Sequence, residues 1–185
     1  MKTLPKYFFI SFLFTLAACQ TTKITTGYYD LQGKTEKELN QSIKKLGPMN
    51  GHAFAAAEIK FNPLTFDVNA TPFFCKMEKV KLQVIAKITL PRWPQQSGAS
   101  ASLKKGFKNM QTYAKWHEKQ HVKIAEASAQ AMEKGLLSIP AQQTCPLLKT
   151  KIKSYMKKSM ALHEKIQKKF DSDEQKRLKA LFKQS

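Results

Sequence analysis

The sequence predicts an α+β domain: a small antiparallel sheet packed against two long C-terminal helices, the first carrying an HExxH motif. Three observations point there. Between Lys79 and Leu90, Val80, Leu82, Val84, Ala86, Ile88 and Leu90 alternate with Lys79, Lys81, Gln83, Lys87 and Thr89, broken only by Ile85. That period of two belongs to a strand with one dry face and one wet face. From Leu103 to Leu137 an apolar stripe of Leu103, Phe107, Met110, Ala114, Ile124, Ala131 and Met132 recurs at helical spacing, with Ser128 as a small polar interruption. A second stripe, Leu148, Ile152, Tyr155, Ile166 and Phe170, follows Pro146, a residue suited to the first turn of a helix.

The remaining elements fall around these three. Residues 1–18 open with Lys2 and Lys6 and run apolar from Tyr7 to Leu16, too short to span a bilayer, so they read as an export signal. The run ends in Leu16-Ala17-Ala18-Cys19, which resembles the lipobox of bacterial lipoproteins. The resemblance implies cleavage before Cys19, acylation of that cysteine and a membrane anchor; the competing reading is an ordinary signal with Cys19 incidental. Gln20, where a retention aspartate would otherwise stand, favours the periplasmic side of an outer membrane. Residues 19–27 are a polar tether, and the domain proper is expected over 28–171, starting with a strand at Tyr28-Tyr29-Asp30. Thr35 and Glu38 form a capping box ahead of Leu39, Ile43 and Leu46, and Gly47-Pro48 stops that helix. Phe54 to Val68 is strand-like, with Pro63 arguing for an edge or a bend. Residues 91–102 form a loop, Ser138-Ile139-Pro140 ends the first long helix, and 172–185 are a basic tail.

Cys75 and Cys145 are an even pair in an exported chain, which is most simply a disulfide. A Cys/His metal site competes, but neither cysteine has another beside it. The chain of 185 residues carries a formal charge of +19, which falls to +17 once Lys2 and Lys6 leave with the signal. Twelve Lys/Arg against four Asp/Glu between Lys149 and Ser185 make that segment +8. Such a balance attracts polyanions. Export excludes nucleic acid and leaves anionic envelope polymers and lipid headgroups, or a solvated lysine face kept for solubility.

The chemistry concentrates at His117-Glu118-Lys119-Gln120-His121. Both histidines project onto the apolar stripe of the first long helix and are expected to face the interior or a cleft. One helical turn apart, they are close enough to share one ion. Catalytic zinc needs three protein ligands and an open position, and HExxH supplies two of the three. Glu118, turned 100° from His117, can act as a base without binding the ion. The alternative is a semi-buried, hydrogen-bonded histidine pair with Glu118 on the surface.

Taken in order, YYDLQGKTEKELNQSIKKLGP, the strand ending ITLPRW, W-H-E-x-x-H-x-x-I-A-E and Q-x-x-F-D together resemble DUF922, a bacterial domain family whose members are described as predicted secreted zinc-dependent proteases. The resemblance runs from about Tyr28 to Asp171, and the two cysteines fall where that family places its pair. It implies zinc held by His117 and His121, Glu118 as the catalytic base and a peptide or protein substrate. One departure matters. The family often continues past its aromatic-Asp pair with a threonine and a His-Gly, whereas this chain continues Ser172-Asp173-Glu174-Gln175-Lys176, with lysine near the position of that histidine. His163, on the apolar stripe of the last helix, is the leading third ligand; Asp171 and Glu174 follow. Glu126 lies on the opposite side of its helix from His117, and His52 reads as a loop residue.

Two functions follow. One is a zinc metallopeptidase of the envelope, holding an extended peptide against an exposed strand edge near Lys79 to Leu90. The other is a non-catalytic envelope lipoprotein that uses its basic helix face to bind an anionic partner. Retention of the whole HExxH favours the first, and the missing His-Gly favours the second.

Overall fold

The computed structural model describes residues 22–183. Its chain order is β1 (Thr22–Asp30), α1 (Glu36–Leu46), the single turn α2 (Pro48–Gly51), β2 (Ala56–Ala70), β3 (Cys75–Arg92), α3 (Ala101–Leu137) and α4 (Cys145–Lys183). The α+β class is as the sequence predicts, with a three-stranded sheet and two long C-terminal helices. The alternation around Lys79 to Leu90 does what its period demands. Val80, Leu82, Val84, Ala86, Ile88 and Leu90 are all buried on one face of β3 under α3, and Lys79 and Lys87 are exposed on the other. Cys75 and Met77 continue the buried row with shifted parity. The shift has a local cause: Asp67 faces Lys79 and Val68 faces Met77, so Glu78 is an extra residue in the ladder.

Two expectations about the sheet are corrected. It is mixed: β2 pairs antiparallel with β3, but β1 pairs parallel with it, from Thr22 opposite Val84 to Asp30 opposite Arg92. Polar composition suggested a tether up to residue 27, yet Ile24, Thr25 and Thr26 are β-branched and complete the otherwise open side of β3. The strand order β1-β3-β2 also makes β3 the centre, so the Lys79 to Leu90 segment offers no free edge; β1 and β2 do. Pro63 sits on the β2 edge, immediately before a register shift that skips Leu64. Helix α4 continues to Lys183, into the segment expected as a tail.

The capping box forms as read. The Glu38 amide donates to Thr35 Oγ1 at 3.3 Å, and Glu38 Oε2 accepts from the Thr35 amide at 3.1 Å. Helix α3 is where the stripe argument fails in detail. Its buried line runs through Phe107, Ala114, Glu118, Val122, Ala125, Ala129, Met132 and Leu136; Ala114 and the apolar residues after it cluster with the buried row of β3, and Phe107 packs with Leu31, Leu39 and Trp93. Met110, assigned to the core, is 52% exposed. The line containing His117, His121, Ile124 and Ser128 lies one residue, about 100°, around the helix. Helix α3 has two neighbours, so it carries two packed faces, and a single projected stripe merges them.

Gly135 of α3 admits the Tyr155 side chain of α4: a Cβ there would stand 1.8 Å from the Tyr155 hydroxyl. Cys75 and Cys145 are joined, with an S–S distance of 2.10 Å. The backbones of Cys75 and Gln142 also exchange two hydrogen bonds, of 2.7 and 2.9 Å. The start of β3 is thus tied to the connection between the helices. The bridge closes a span of 70 residues, for which chain entropy predicts a contribution on the order of 4 kcal/mol. Reduction, or the double substitution Cys75→Ala/Cys145→Ala, is expected to lower the urea midpoint by an amount equivalent to about 2–4 kcal/mol. An unchanged midpoint would contradict this account.

Candidate metal centre

Helix α3 brings His117 and His121 to its α4-facing side one turn apart, and α4 brings Asp171 across to meet them. His117 Nε2 and His121 Nε2 are 3.1 Å apart, and they lie 3.1 and 3.0 Å from Asp171 Oδ1. Among the described residues, these three side chains form the group whose ligand atoms converge. Three mutual contacts near 3 Å cannot all be good hydrogen bonds, because both imidazole protons would have to crowd one small triangle. A tetrahedral zinc ion suits the set: bonds of about 2.0–2.1 Å place ligand atoms roughly 3.3 Å apart, so the triangle has nearly the right edge. Two imidazoles and a carboxylate are also a common donor set for that ion. Asp171 is half exposed, so solvent reaches the group on that side.

Packing and hydrogen bonds hold the rings. Phe170 lies against both, its ring 4.8 Å from His117 and 5.1 Å from His121. His121 Nδ1 meets Gln167 Oε1 at 2.6 Å, which leaves Nε2 as the lone-pair nitrogen facing the triangle. His117 Nδ1 is buried without a partner, so the contacts of Nε2 and the flanking Phe170 and Tyr113 rings set its orientation. Burial, helped by the neighbouring His121, holds the His117 imidazole below the usual histidine range, against the opposing pull of Asp171. A neutral imidazole is the form that binds a metal.

Glu118 faces the sheet and is only 5% exposed. This corrects the simple picture of a glutamate turned out from a buried histidine stripe: it is the more deeply buried member of the motif. Burial pushes its carboxyl up to about 7; His121 pulls it down, Asp171 pushes it further up, and a hydrogen bond from the Ala57 amide lowers it. Two hollows share His117, Glu118 and Asp171. One, of about 410 Å³, is bordered by Ala56, Ala57 and Ile59 of β2. The other, of about 900 Å³, is lined by Phe54, Met110, Tyr113, Leu178 and Leu181. The three polar groups therefore border both hollows.

The other candidates lie elsewhere. His163 is buried in the smaller hollow, but its Nδ1 is 3.1 Å from Ser128 Oγ and its Nε2 3.4 Å from Gln167 Nε2, so it is not part of the converging group. Glu174 is taken by Arg177, at 2.8 and 2.9 Å, and by the Tyr113 hydroxyl at 2.9 Å. Glu126 accepts from the Thr22 hydroxyl at 2.6 Å. His52 is an exposed residue at the end of α2. Cys19 and the signal lie outside the described residues. The sequence reading places Phe170 on the apolar stripe and both Gln167 and Phe170 in the Q-x-x-F-D motif, but gives neither a part in the site. The signal was present, since Gln167, Phe170 and Asp171 are spaced i, i+3 and i+4 and so share one helix face.

A carboxyl raised from the ordinary 4.5 to about 7 stabilises the fold only while it is protonated. The metal-free protein should therefore lose stability as pH rises from about 4.5 through about 7, and then level off. Glu118→Gln removes this dependence, so its stability gain over the wild type should grow across that window in urea titrations. A difference independent of pH would refute the assignment.

No curated protein and no solved structure matches this chain. Among the described residues, no helix is long and apolar enough to cross a membrane. The family model for bacterial proteins of unknown function DUF922 matches residues 26–177, which covers every element from the second half of β1 to most of α4. The chain belongs to the DUF922 family.

Proposed function

We propose that this protein is a zinc-dependent metallopeptidase of the bacterial envelope, with His117, His121 and Asp171 as the metal-binding residues and Glu118 as the general base. The carrying observation is the triangle of Nε2, Nε2 and Oδ1 atoms, with a buried glutamate, at the border of two hollows. Relative to the sequence reading, the third ligand moves from His163 to Asp171. A bound zinc ion supplies Lewis acidity toward water and toward a carbonyl oxygen. Glu118, with a carboxyl raised to about 7, is suited to accept a proton from the attacking water near neutral pH and to return it to the leaving amine. The Ala57 amide orients that carboxyl. Strand β2 is a sheet edge and its first residues border the smaller hollow, so an extended peptide can add to it through main-chain hydrogen bonds.

A second reading, a non-catalytic lipoprotein that binds an anionic envelope polymer, draws on the exposed lysines of α4. Lys151, Lys158 and Lys165 recur every seven residues, as do Lys169 and Lys176, on one solvent face. It predicts a protein with no bound metal.

Metal analysis separates the two. The wild type is expected to bind one zinc ion, and His117→Ala or His121→Ala to abolish binding. Asp171→Ala should lose most of the affinity. Glu118→Gln should keep the metal while hydrolysis of a quenched peptide mixture falls by roughly two or more orders of magnitude. Zinc-free wild type, or zinc retained in the double histidine variant, would overturn the peptidase reading.

The envelope location rests on Leu16-Ala17-Ala18-Cys19. Cys19→Ser should leave unprocessed precursor in cells. An unacylated N-terminus at another residue, found by mass spectrometry, would remove the lipid anchor from the proposal.

A further inference from the structure

We propose that Gln167 and His163 are positioning residues, links in a hydrogen-bonded chain running from Ser128 to His121 that fixes which nitrogen of His121 faces the metal. The proposal rests on the metal-site reading above. It gives a role to the glutamine of Q-x-x-F-D and to the one buried histidine that the metal triangle does not use.

The proton positions follow link by link from the far end. Ser128 Oγ lies 2.8 Å from the carbonyl of Ile124 one turn back, so its hydroxyl proton goes there and its lone pairs remain to accept. His163 Nδ1 is 3.1 Å from that Oγ and must therefore donate. A neutral His163 then carries its proton on Nδ1 and a lone pair on Nε2. Burial, together with the nearby His121, holds this imidazole below the usual range, consistent with the neutral form.

Gln167 is next. Its nitrogen lies 3.4 Å from His163 Nε2 and 3.0 Å from the backbone carbonyl of His121, two acceptors that both require the NH2 end of the amide. The amide orientation is assigned by that pair. Its oxygen is thereby turned onto His121 Nδ1 at 2.6 Å. An amide oxygen only accepts, so His121 donates from Nδ1, which leaves Nε2 as the nitrogen that can bind an ion shared with Asp171 and His117. A flipped amide would offer a donor to Nδ1 and force the proton onto Nε2, the tautomer that cannot bind an ion through that atom. Phe61 meets the His163 ring edge-on at 5.0 Å and keeps its plane in line with the chain.

Both nitrogens of His163 are thus engaged away from the triangle, and its buried position, 8% exposed, reflects support of His121 rather than ligation. Partners of this kind change metal affinity by about 10–100-fold when removed. They do not abolish it.

The test is zinc affinity of the intact protein by chelator competition, read together with nitrogen NMR of the His121 tautomer. Gln167→Met keeps the length of the side chain without its acceptor and should weaken zinc about 10–100-fold. Gln167→Glu keeps an acceptor and should stay within a few fold of the wild type. His163→Phe keeps the ring against Phe61 but removes the acceptor for Gln167, and should weaken zinc by a smaller factor. Equal affinity in Gln167→Met, or an equal loss in Gln167→Glu, would overturn the proposal. So would a His163→Phe variant as metal-free as His117→Ala, which would make His163 a ligand. If the wild type binds no zinc, the metal reading fails and the NMR arm still decides the chain. The metal-free protein should carry a proton on His121 Nδ1, whether or not Asp171 holds a second one on Nε2, and lose that Nδ1 preference in Gln167→Met; a His121 without a proton on Nδ1 overturns it.

Discussion

Ala125 and Ala129 of α3 and Ala86 of β3 have almost no exposed surface, and these small side chains let the helix lie close on the centre of the sheet. On its other side α3 meets α4, where Gly135 admits the Tyr155 ring and the Tyr155 hydroxyl reaches the Ala131 carbonyl. A helix held between a sheet and a second helix has two faces with different chemistry. The sheet face is apolar except for Glu118. The α4 face carries His117, His121 and Ser128. Everything proposed for the site depends on this double contact, since it turns Glu118 toward the β2 edge and the histidines toward Asp171.

The electrostatics of the site differ from those of the chain around it. The protein is strongly basic, yet its lysines are mostly exposed on the helices and outer strand faces, where water and salt screen them. Immediately around the triangle the ionisable groups are carboxylates and imidazoles, with Arg177 and Tyr113 further along the larger hollow. Burial works on both, raising the Glu118 carboxyl and lowering the imidazoles of His117 and His163. Desolvation disfavours charge of either sign. Burial therefore favours a neutral glutamic acid at Glu118 and a neutral imidazole at His117, the form that leaves a nitrogen lone pair available to a cation. Arg177 and Tyr113 hold Glu174 beside this cluster without adding it to the triangle.

Much of the architecture was legible because it is local. The Thr35/Glu38 capping box, the alternation under β3, the stop at Gly47-Pro48 and the long helical periods each involve residues within a few positions of one another, where spacing and propensity suffice. The disulfide was legible from cysteine count and compartment, although its partners stand 70 residues apart. The parallel pairing of β1 was not. Its residues from Thr22 to Gly27 are polar enough to read as a tether, and what makes them a strand is the open side of β3 more than fifty residues later. The rotation of the α3 stripe was hidden for the same kind of reason: a periodicity reports that a face is apolar, but not how many neighbours share it.

By itself the sequence determined the α+β class, the HExxH pair one turn apart on a helix and the cysteine pair, because these follow from period, spacing and composition. Tertiary structure decided which residue completes the cluster. His163 and Asp171 lie on the same face of α4 eight residues apart, and no local rule separates them as partners for His117 and His121. The crossing of α4 over α3 does. It sets Asp171 Oδ1 within 3.1 Å of both imidazoles and places His163 two turns away, against Ser128 and Gln167. A donor atom must come within a few tenths of an ångström of its place to share an ion, and that tolerance is met or missed by how two helices pack.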